Sequence, residues 1–281
     1  MRVRYSFSSR RTGQIEGRNN HRVPFPKIAR QVINDSDVIL QVLDARFVEK
    51  TRNLELENKV KKEGKKLMYV INKSDLVNPT EFKKNVDVSG LNPHILFSCK
   101  TRAGKRKLTR FIKIEAKKLN LDRKANVGII GFPNTGKSSL INLLVGRKGA
   151  GTSAQAGFTK GIQKIRLNSD ISIIDTPGVI PDEEYDVKNK DFFLKKHTQI
   201  GVRTYDKVKD PELIVHKLMA ENPQLFEIYY RIDADGDSEI ILEEIGRKNN
   251  YLKKGNEVNM DRAARHVLKD WQDGKIKKHN S

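Results

Sequence analysis

The stretch Gly131-Phe-Pro-Asn-Thr-Gly136-Lys137-Ser138 limits what this chain can fold into more than any other. It fits G-x-x-x-x-G-K-[ST], a pattern that works only where a strand ends, a glycine-rich loop turns and a helix begins. Residues 126–130 read as that strand and residues 137–145 as that helix. Glycines let the backbone curl so that its N–H groups face phosphate oxygens, and the helix N-terminus adds partial positive charge. Thr135, Gly136, Lys137, Ser138 and Ser139 are therefore candidate phosphate ligands. Lys137 is expected to bridge the β- and γ-phosphates, and Ser138 to place its hydroxyl on Mg²⁺.

The flanking sequence continues the alternation. Residues 38–43, 67–71 and 94–98 read as buried strands, short apolar runs rich in β-branched residues. Residues 162–167 and 171–174 read as a further pair, arranged as a hairpin. Helical patterns cover 54–62 and 105–118, with a short helix over 27–33. This order predicts an α/β fold with a mostly parallel sheet covered on both faces. The strands stop near residue 190. Helix starts follow at Asp210-Pro211-Glu212, at Asp237-Ser-Glu and at Asn259-Met-Asp, which predicts a small all-α domain. The expected divisions are a basic extension over 1–30, a nucleotide-binding domain over 31–190 and a helical domain over 191–281.

Charge separates these parts. The chain of 281 residues has a net charge of +20, but residues 191–281 carry 17 Lys/Arg against 16 Asp/Glu. Residues 1–30 contribute +7 and residues 100–124 contribute +9. Such concentration points to a polyanionic partner, because neutralised phosphates release counterions. In the predicted helix over 105–118, Arg106, Arg110 and Lys113 share a face that would follow an RNA backbone. Cys99 is the only cysteine, which excludes an intrachain disulfide and argues against a cysteine-based zinc site. A reducing, cytoplasmic home is expected. No apolar run reaches the roughly 20 residues of a membrane helix. The basic start has no apolar segment after it, so no secretory signal is expected.

Asn72-Lys73-Ser74-Asp75 follows a predicted strand and identifies the base. A carboxylate there accepts two hydrogen bonds from the ring N–H and exocyclic amine of guanine, a donor pair that adenine lacks. Asn72 would tie neighbouring loops together, and the Lys73 stem would lie over the base. Ser98-Cys99-Lys100, also at a strand end, would present backbone amides to the guanine oxygen. Asp175-Thr-Pro-Gly178 supplies D-x-x-G: Asp175 would reach Mg²⁺ through water, and the Gly178 N–H would meet the γ-phosphate. Thr159 is the candidate switch threonine on Mg²⁺. The acidic run Asp233-Ala-Asp-Gly-Asp237 superficially matches a calcium loop, but its glycine is fourth rather than sixth. It is read as a turn capping the following helix.

These motifs stand in an unusual order: base-reading loop, second base loop, phosphate loop, switch threonine, D-x-x-G. Together with Asp44-Ala-Arg46, Thr51-Arg-Asn53 and the tail from Glu244 to Arg262-Ala-Ala, this order resembles the circularly permuted GTPases of ribosome assembly, the YlqF/YawG group. The resemblance covers about residues 26–276. It implies hydrolysis of GTP to GDP and phosphate, and binding to rRNA or to the large ribosomal subunit or its precursor. Contacts to ribosomal proteins, no membrane association and a monomeric state accompany it. A protein-binding switch without an RNA role is the alternative, whereas a P-loop ATPase conflicts with Asp75. Permutation sends the chain from Gly178 straight into the helical domain, so a switch loop held at both ends can transmit the loss of one phosphate. Val179 stands where many GTPases carry a water-orienting glutamine. Hydrolysis is therefore expected to rely on other groups and a partner: on Asn134, which matches an asparagine that helps hold K⁺ in related GTPases, and on His21 as a water-positioning candidate.

Overall fold

The computed structural model describes residues 25–146, 163–176, 178, 180–181 and 190–276. His21, Thr159 and Val179 lie outside them.

Six strands form one sheet: β1 (Val38–Asp44), β2 (Lys66–Asn72), β3 (His94–Leu96), β4 (Ala125–Ile130), β5 (Gln163–Arg166) and β6 (Ile171–Asp175). Their spatial order is β3-β2-β1-β4-β6-β5. Every neighbouring pair is parallel except β5 and β6, the expected hairpin. Central β1 is buried at every position, because both sheet faces are covered. Its side chains Leu40 and Val42 join Leu108 and Ile112 of α4 (Lys105–Lys118) and Leu140 and Ile141 of α5 (Lys137–Val145). On the other face, Ile39 and Leu43 pack with Ala29 and Ile33 of α1 (Phe25–Asp35) and Leu56 and Val60 of α2 (Leu54–Lys62).

Local chemistry sets the helix ends. Asn53 caps α2 by accepting from the Leu56 N–H at 3.0 Å. A seven-residue helix that the periodicity did not indicate, α3 (Pro79–Asn85), starts from the same chemistry: Asn78 accepts from the Thr80 N–H at 2.8 Å and Pro79 takes the first position. The expected boundary between residues 30 and 31 falls inside α1. Ala29 and Ile33 are both fully buried, so the apolar face of this helix belongs to the α/β layer rather than to an extension.

Five helices follow: α6 (Lys190–Gln199), α7 (Pro211–Glu221), α8 (Pro223–Tyr230), α9 (Ser238–Lys248) and α10 (Met260–Gln272). Leu218, Phe226, Ile241, Leu268 and Trp271 are among the residues of the core that α7 to α10 share. The acidic run is the expected capping turn, with Asp237 accepting from the Glu239 N–H at 2.8 Å at the start of α9. Helices and sheet meet through aromatic rings. Trp271 stacks on Phe226 at 5.7 Å and lies 6.0 Å from Phe47, while Phe132 of the phosphate loop is buried with Ile200 and Val202.

Candidate nucleotide site

Parallel pairing brings the carboxyl ends of the central strands to one edge, where ligands bind in open α/β sheets. Asp44 at the end of β1 is in register with Asn72 at the end of β2, and Ile129 of β4 with Asp175 of β6. The base-reading and phosphate loops, 63 residues apart at Asn72 and Thr135, therefore meet.

Asn72 makes the junction. Its Nδ2 donates to the Thr135 carbonyl at 2.8 Å, and its Oδ1 accepts from the Cys99 N–H at 3.2 Å. The approach is so close that a Cβ at position 136 would lie 2.2 Å from Asn72 Nδ2, and Gly136 has φ +99°. Both facts require glycine there. One expectation changes here. The Cys99 amide is taken by Asn72, so Cys99 holds the loop together instead of presenting that N–H to a base. Burial also pushes its thiol up to about 11. Asp75 sits in the turn Ser74–Leu76, where Ser98 Oγ donates to its Oδ1 at 2.6 Å and aims the carboxylate. The Ser74 N–H donates to the Phe97 carbonyl at 3.0 Å, anchoring that turn to the end of β3. Lys100 lines the same cavity.

Lys73 is held by a buried acid. Its Nζ lies 2.8 Å from Asp44 Oδ2, and Arg46 closes the other side, with Nη2 at 2.8 Å from the same oxygen and Nε at 3.0 Å from Oδ1. Burial pushes the Asp44 carboxyl up, but the charges of Lys73 and Arg46 outweigh it and hold the group below the ordinary carboxylate range. Arg46 Nη1 also donates to the Trp271 carbonyl at 3.0 Å, so this hub joins the base-reading loop to α10.

In the phosphate loop, Lys137 is buried and donates to the carbonyls of Gly131 at 3.1 Å and Phe132 at 2.8 Å. Burial pushes its ammonium down to about 8. Thr135 Oγ1 donates to the Phe132 carbonyl at 2.9 Å, bracing the curl, and Ser139 is exposed on the cavity wall. Gly178 packs directly on this loop: a Cβ there would lie 2.5 Å from Pro133 Cα. Asn134 Nδ2 donates to the Gly201 carbonyl, so a potassium ion would have to use its Oδ1.

The residues fit a magnesium ion. Ser138 Oγ and Asp175 Oδ2 are 3.5 Å apart, and Asp175 Oδ1 is buried without a hydrogen-bond partner. Burial pushes the Asp175 carboxyl up to about 6. A hard dication with oxygen ligands satisfies an orphaned carboxylate oxygen beside a hydroxyl. No group of three or more metal-ligating side chains occurs among the described residues, so phosphate and water would complete the shell.

A cavity of about 330 Å³ lies between Asp75, Lys100, Asn134 and Gly136. A larger groove of about 760 Å³ runs between Phe47, Phe82, Leu225 and Trp271, but it contains none of the phosphate-loop residues. The smaller cavity is the candidate nucleotide site on chemical grounds. Sequence reasoning missed the part of its wall that comes from the helical domain, namely Ile200, Gly201, Thr204, Tyr205, Gln272 and Asp273. No local motif marks these residues.

Comparison with known proteins agrees with this geometry. Residues 126–240 match the family model described as a 50S ribosome-binding GTPase. An uncharacterized GTP-binding protein of Methanocaldococcus jannaschii is 40% identical over 259 residues, which are 91% of this chain and 66% of that protein. The nuclear GTP-binding protein NUG1 of Saccharomyces cerevisiae is 31% identical in an alignment 290 positions long that covers 91% of this chain and 55% of that protein. Among solved structures, GNP-bound YlqF from T. maritima superposes with a TM-score of 0.58 at 24% identity, covering 89% of this chain and 95% of that one. The chain is thus similar to GTP-binding proteins over 91% of its length, and residues 126–240 carry the GTPase family match. Its sheet and motif order give it a permuted P-loop GTPase fold followed by a helical domain. The chain spans between about half and two thirds of the length of these curated relatives.

Proposed function

We propose that this permuted GTPase binds GTP with Mg²⁺ and hydrolyses it to GDP and phosphate as a switch in large-subunit ribosome assembly, engaging rRNA or pre-ribosomal particles. The observation that carries the reading is Asn72: one side chain bonded to both Thr135 and Cys99 holds a guanine-reading carboxylate and a phosphate loop around one cavity.

Each side chain has a task derived from its position. Asp75 accepts from guanine and rejects adenine, which would leave the carboxylate facing a lone pair. Lys137 exchanges its bonds to Gly131 and Phe132 for phosphate oxygens and neutralises charge there. Ser138 and Asp175, joined by Thr159, would hold Mg²⁺, which supplies compensation for charge developing on the phosphates. The Gly178 backbone, packed on Pro133, meets the γ-phosphate and passes its loss along the chain toward α6. An apolar Val179 cannot orient water, so turnover relies on Asn134 with K⁺, on His21, and on a particle that completes the site. The relatives' descriptions as a nuclear GTP-binding protein and a 50S ribosome-binding family support a ribosomal partner. So does the exposed basic face of α4. Among the described residues no helix is long and apolar enough to cross a membrane. A monomer working in the compartment where ribosomes mature, the cytoplasm in a cell without a nucleus, fits this role.

Cosedimentation with ribosomal fractions tests the proposal, using GDP, GTP, ATP, a non-hydrolysable GTP analogue or no nucleotide. Association with large-subunit particles that responds to guanine nucleotides and ignores ATP is expected. Association indifferent to every nucleotide, or absent throughout, would contradict it.

A further inference from the structure

The nucleotide cavity has a wall that none of the guanine-nucleotide motifs explains. Residues 200–205, between α6 and α7, and the end of α10 close the side facing Lys73, Asp75 and Lys100. This wall is fixed in place at both ends of the site. At the phosphate end, Asn134 Nδ2 donates to the Gly201 carbonyl. At the base end, the turn after α10 rests on the residue following Asp75: a Cβ at Gly274 would lie 2.4 Å from Leu76 Cδ1, and Gly274 has φ +71°. Arg46 adds the bond to the Trp271 carbonyl. Within the wall, Gln272 is a brace, with Nε2 donating to the carbonyls of Thr198 at 3.0 Å and Arg203 at 2.8 Å, and Oε1 accepting from the Tyr205 N–H at 3.2 Å.

Two polar groups on this braced wall suit a ligand. The Thr204 side chain lines the cavity, is only 5% exposed, and its hydroxyl has no hydrogen-bond partner among the described residues. A buried hydroxyl without a partner carries a desolvation cost that a ligand bond removes. Asp273 lines the same cavity and brings a carboxylate, which can only accept hydrogen bonds. A carboxylate repels phosphates and attracts hydroxyl donors. The phosphates belong beside Lys137, so what this wall can face is the nucleoside. Guanine's donor pair is already matched by Asp75. The remaining donors of a guanine nucleotide are the ribose hydroxyls, next to the base. We propose that Thr204 and Asp273 form a ribose subsite contributed by the helical domain, so that this domain touches the nucleotide directly and selects a ribonucleotide. The inference rests on the guanine-site reading and adds to it a sugar contact from outside the α/β layer.

The test measures equilibrium binding of GDP and of 2′,3′-dideoxy-GDP by the full chain and by a Thr204→Val, Asp273→Ala double variant. The unmodified chain is expected to bind GDP about tenfold more tightly than the dideoxy form, since each lost hydrogen bond weakens binding roughly threefold to tenfold. In the double variant the two ligands are expected to bind alike. The ratio is internal to each protein, so a general loosening of the fold does not mimic the result. A preference for GDP over ADP, lost or retained, tells whether the variant still reads guanine. Equal binding of GDP and dideoxy-GDP by the unmodified chain, or undiminished discrimination by the variant, overturns the ribose subsite while leaving the guanine site standing. Failure of the unmodified chain to bind either ligand overturns both.

Discussion

At the scale of single residues, the site depends on carboxylates placed with opposite duties. Asp75 lines the cavity, where the proposed reading has it meet the base; Asp44 is 1% exposed and faces two cations. Replacing Asp75 by Asn turns one acceptor into a donor pointed at guanine's own donors. We expect GTP affinity to fall at least tenfold, since a charge-assisted bond is worth about 1.5–3 kcal/mol, with no matching loss for ATP. Competition binding with both nucleotides checks this, and an unchanged preference for GTP would remove Asp75 from base recognition. Asp44 predicts a pH dependence. Its folded value lies below the reference of 3.8, so its contribution is fully present above about pH 4 and is lost as pH falls toward the folded value. Asp44→Asn strands Lys73 and Arg46, and is expected to cost about 3 kcal/mol at neutral pH. Urea unfolding from pH 7 down to pH 3 should show the gap between variant and parent narrowing only at the acid end.

Secondary-structure elements carry the next level. Helix α4 turns Leu108 and Ile112 into the sheet and leaves Arg106, Arg110, Lys113 and Lys117 exposed at spacings of four, three and four, a single stripe. Among the described residues no carboxylate pairs with these four, whereas nearby Lys118 is held by Glu115 at 2.9 Å. Reversing the charge of Arg106, Arg110 and Lys113 should weaken binding to ribosomal particles and flatten its salt dependence, with GTP affinity unchanged. An unaltered salt slope would place the RNA contact elsewhere. Elements with local signals were legible beforehand: α2, α4 and α5 run over the residues that their helical patterns indicated. Helices α3 and α8 were not, although Asn78-Pro79 and Asn222-Pro223 start them. Both are short, seven and eight residues, and about two turns of pattern say little without their packing. The nucleotide motifs were readable because each is confined to a strand end. The wall formed by Thr204 and Asp273 was not, because it exists only through docking of two layers on Gly201, Gly274 and Trp271.

For the whole molecule, the absence of a polar side chain at residue 179 and the grip of Asn134 on Gly201 predict slow turnover in isolation. Phosphate release should be stimulated by large ribosomal particles and by potassium over sodium. Fast hydrolysis, indifferent to both, would show that the chain already holds a complete catalytic set. The sheet order has a further consequence, one of timing. Strands β1, β2 and β3 lie side by side on one half of the sheet and come first in the chain, while β4, β6 and β5 make the other half. The first half can therefore pair while the rest is still being synthesised. Between Leu96 and Gly178, at roughly 5–20 residues per second, a ribosome needs about 4–16 s to deliver the phosphate half. Through that interval the nascent chain presents the guanine-reading loop without a loop to hold the phosphates. Nucleotide binding can stabilise this protein only once the residues through Gly178 have been made, in contrast to a GTPase whose phosphate loop emerges first.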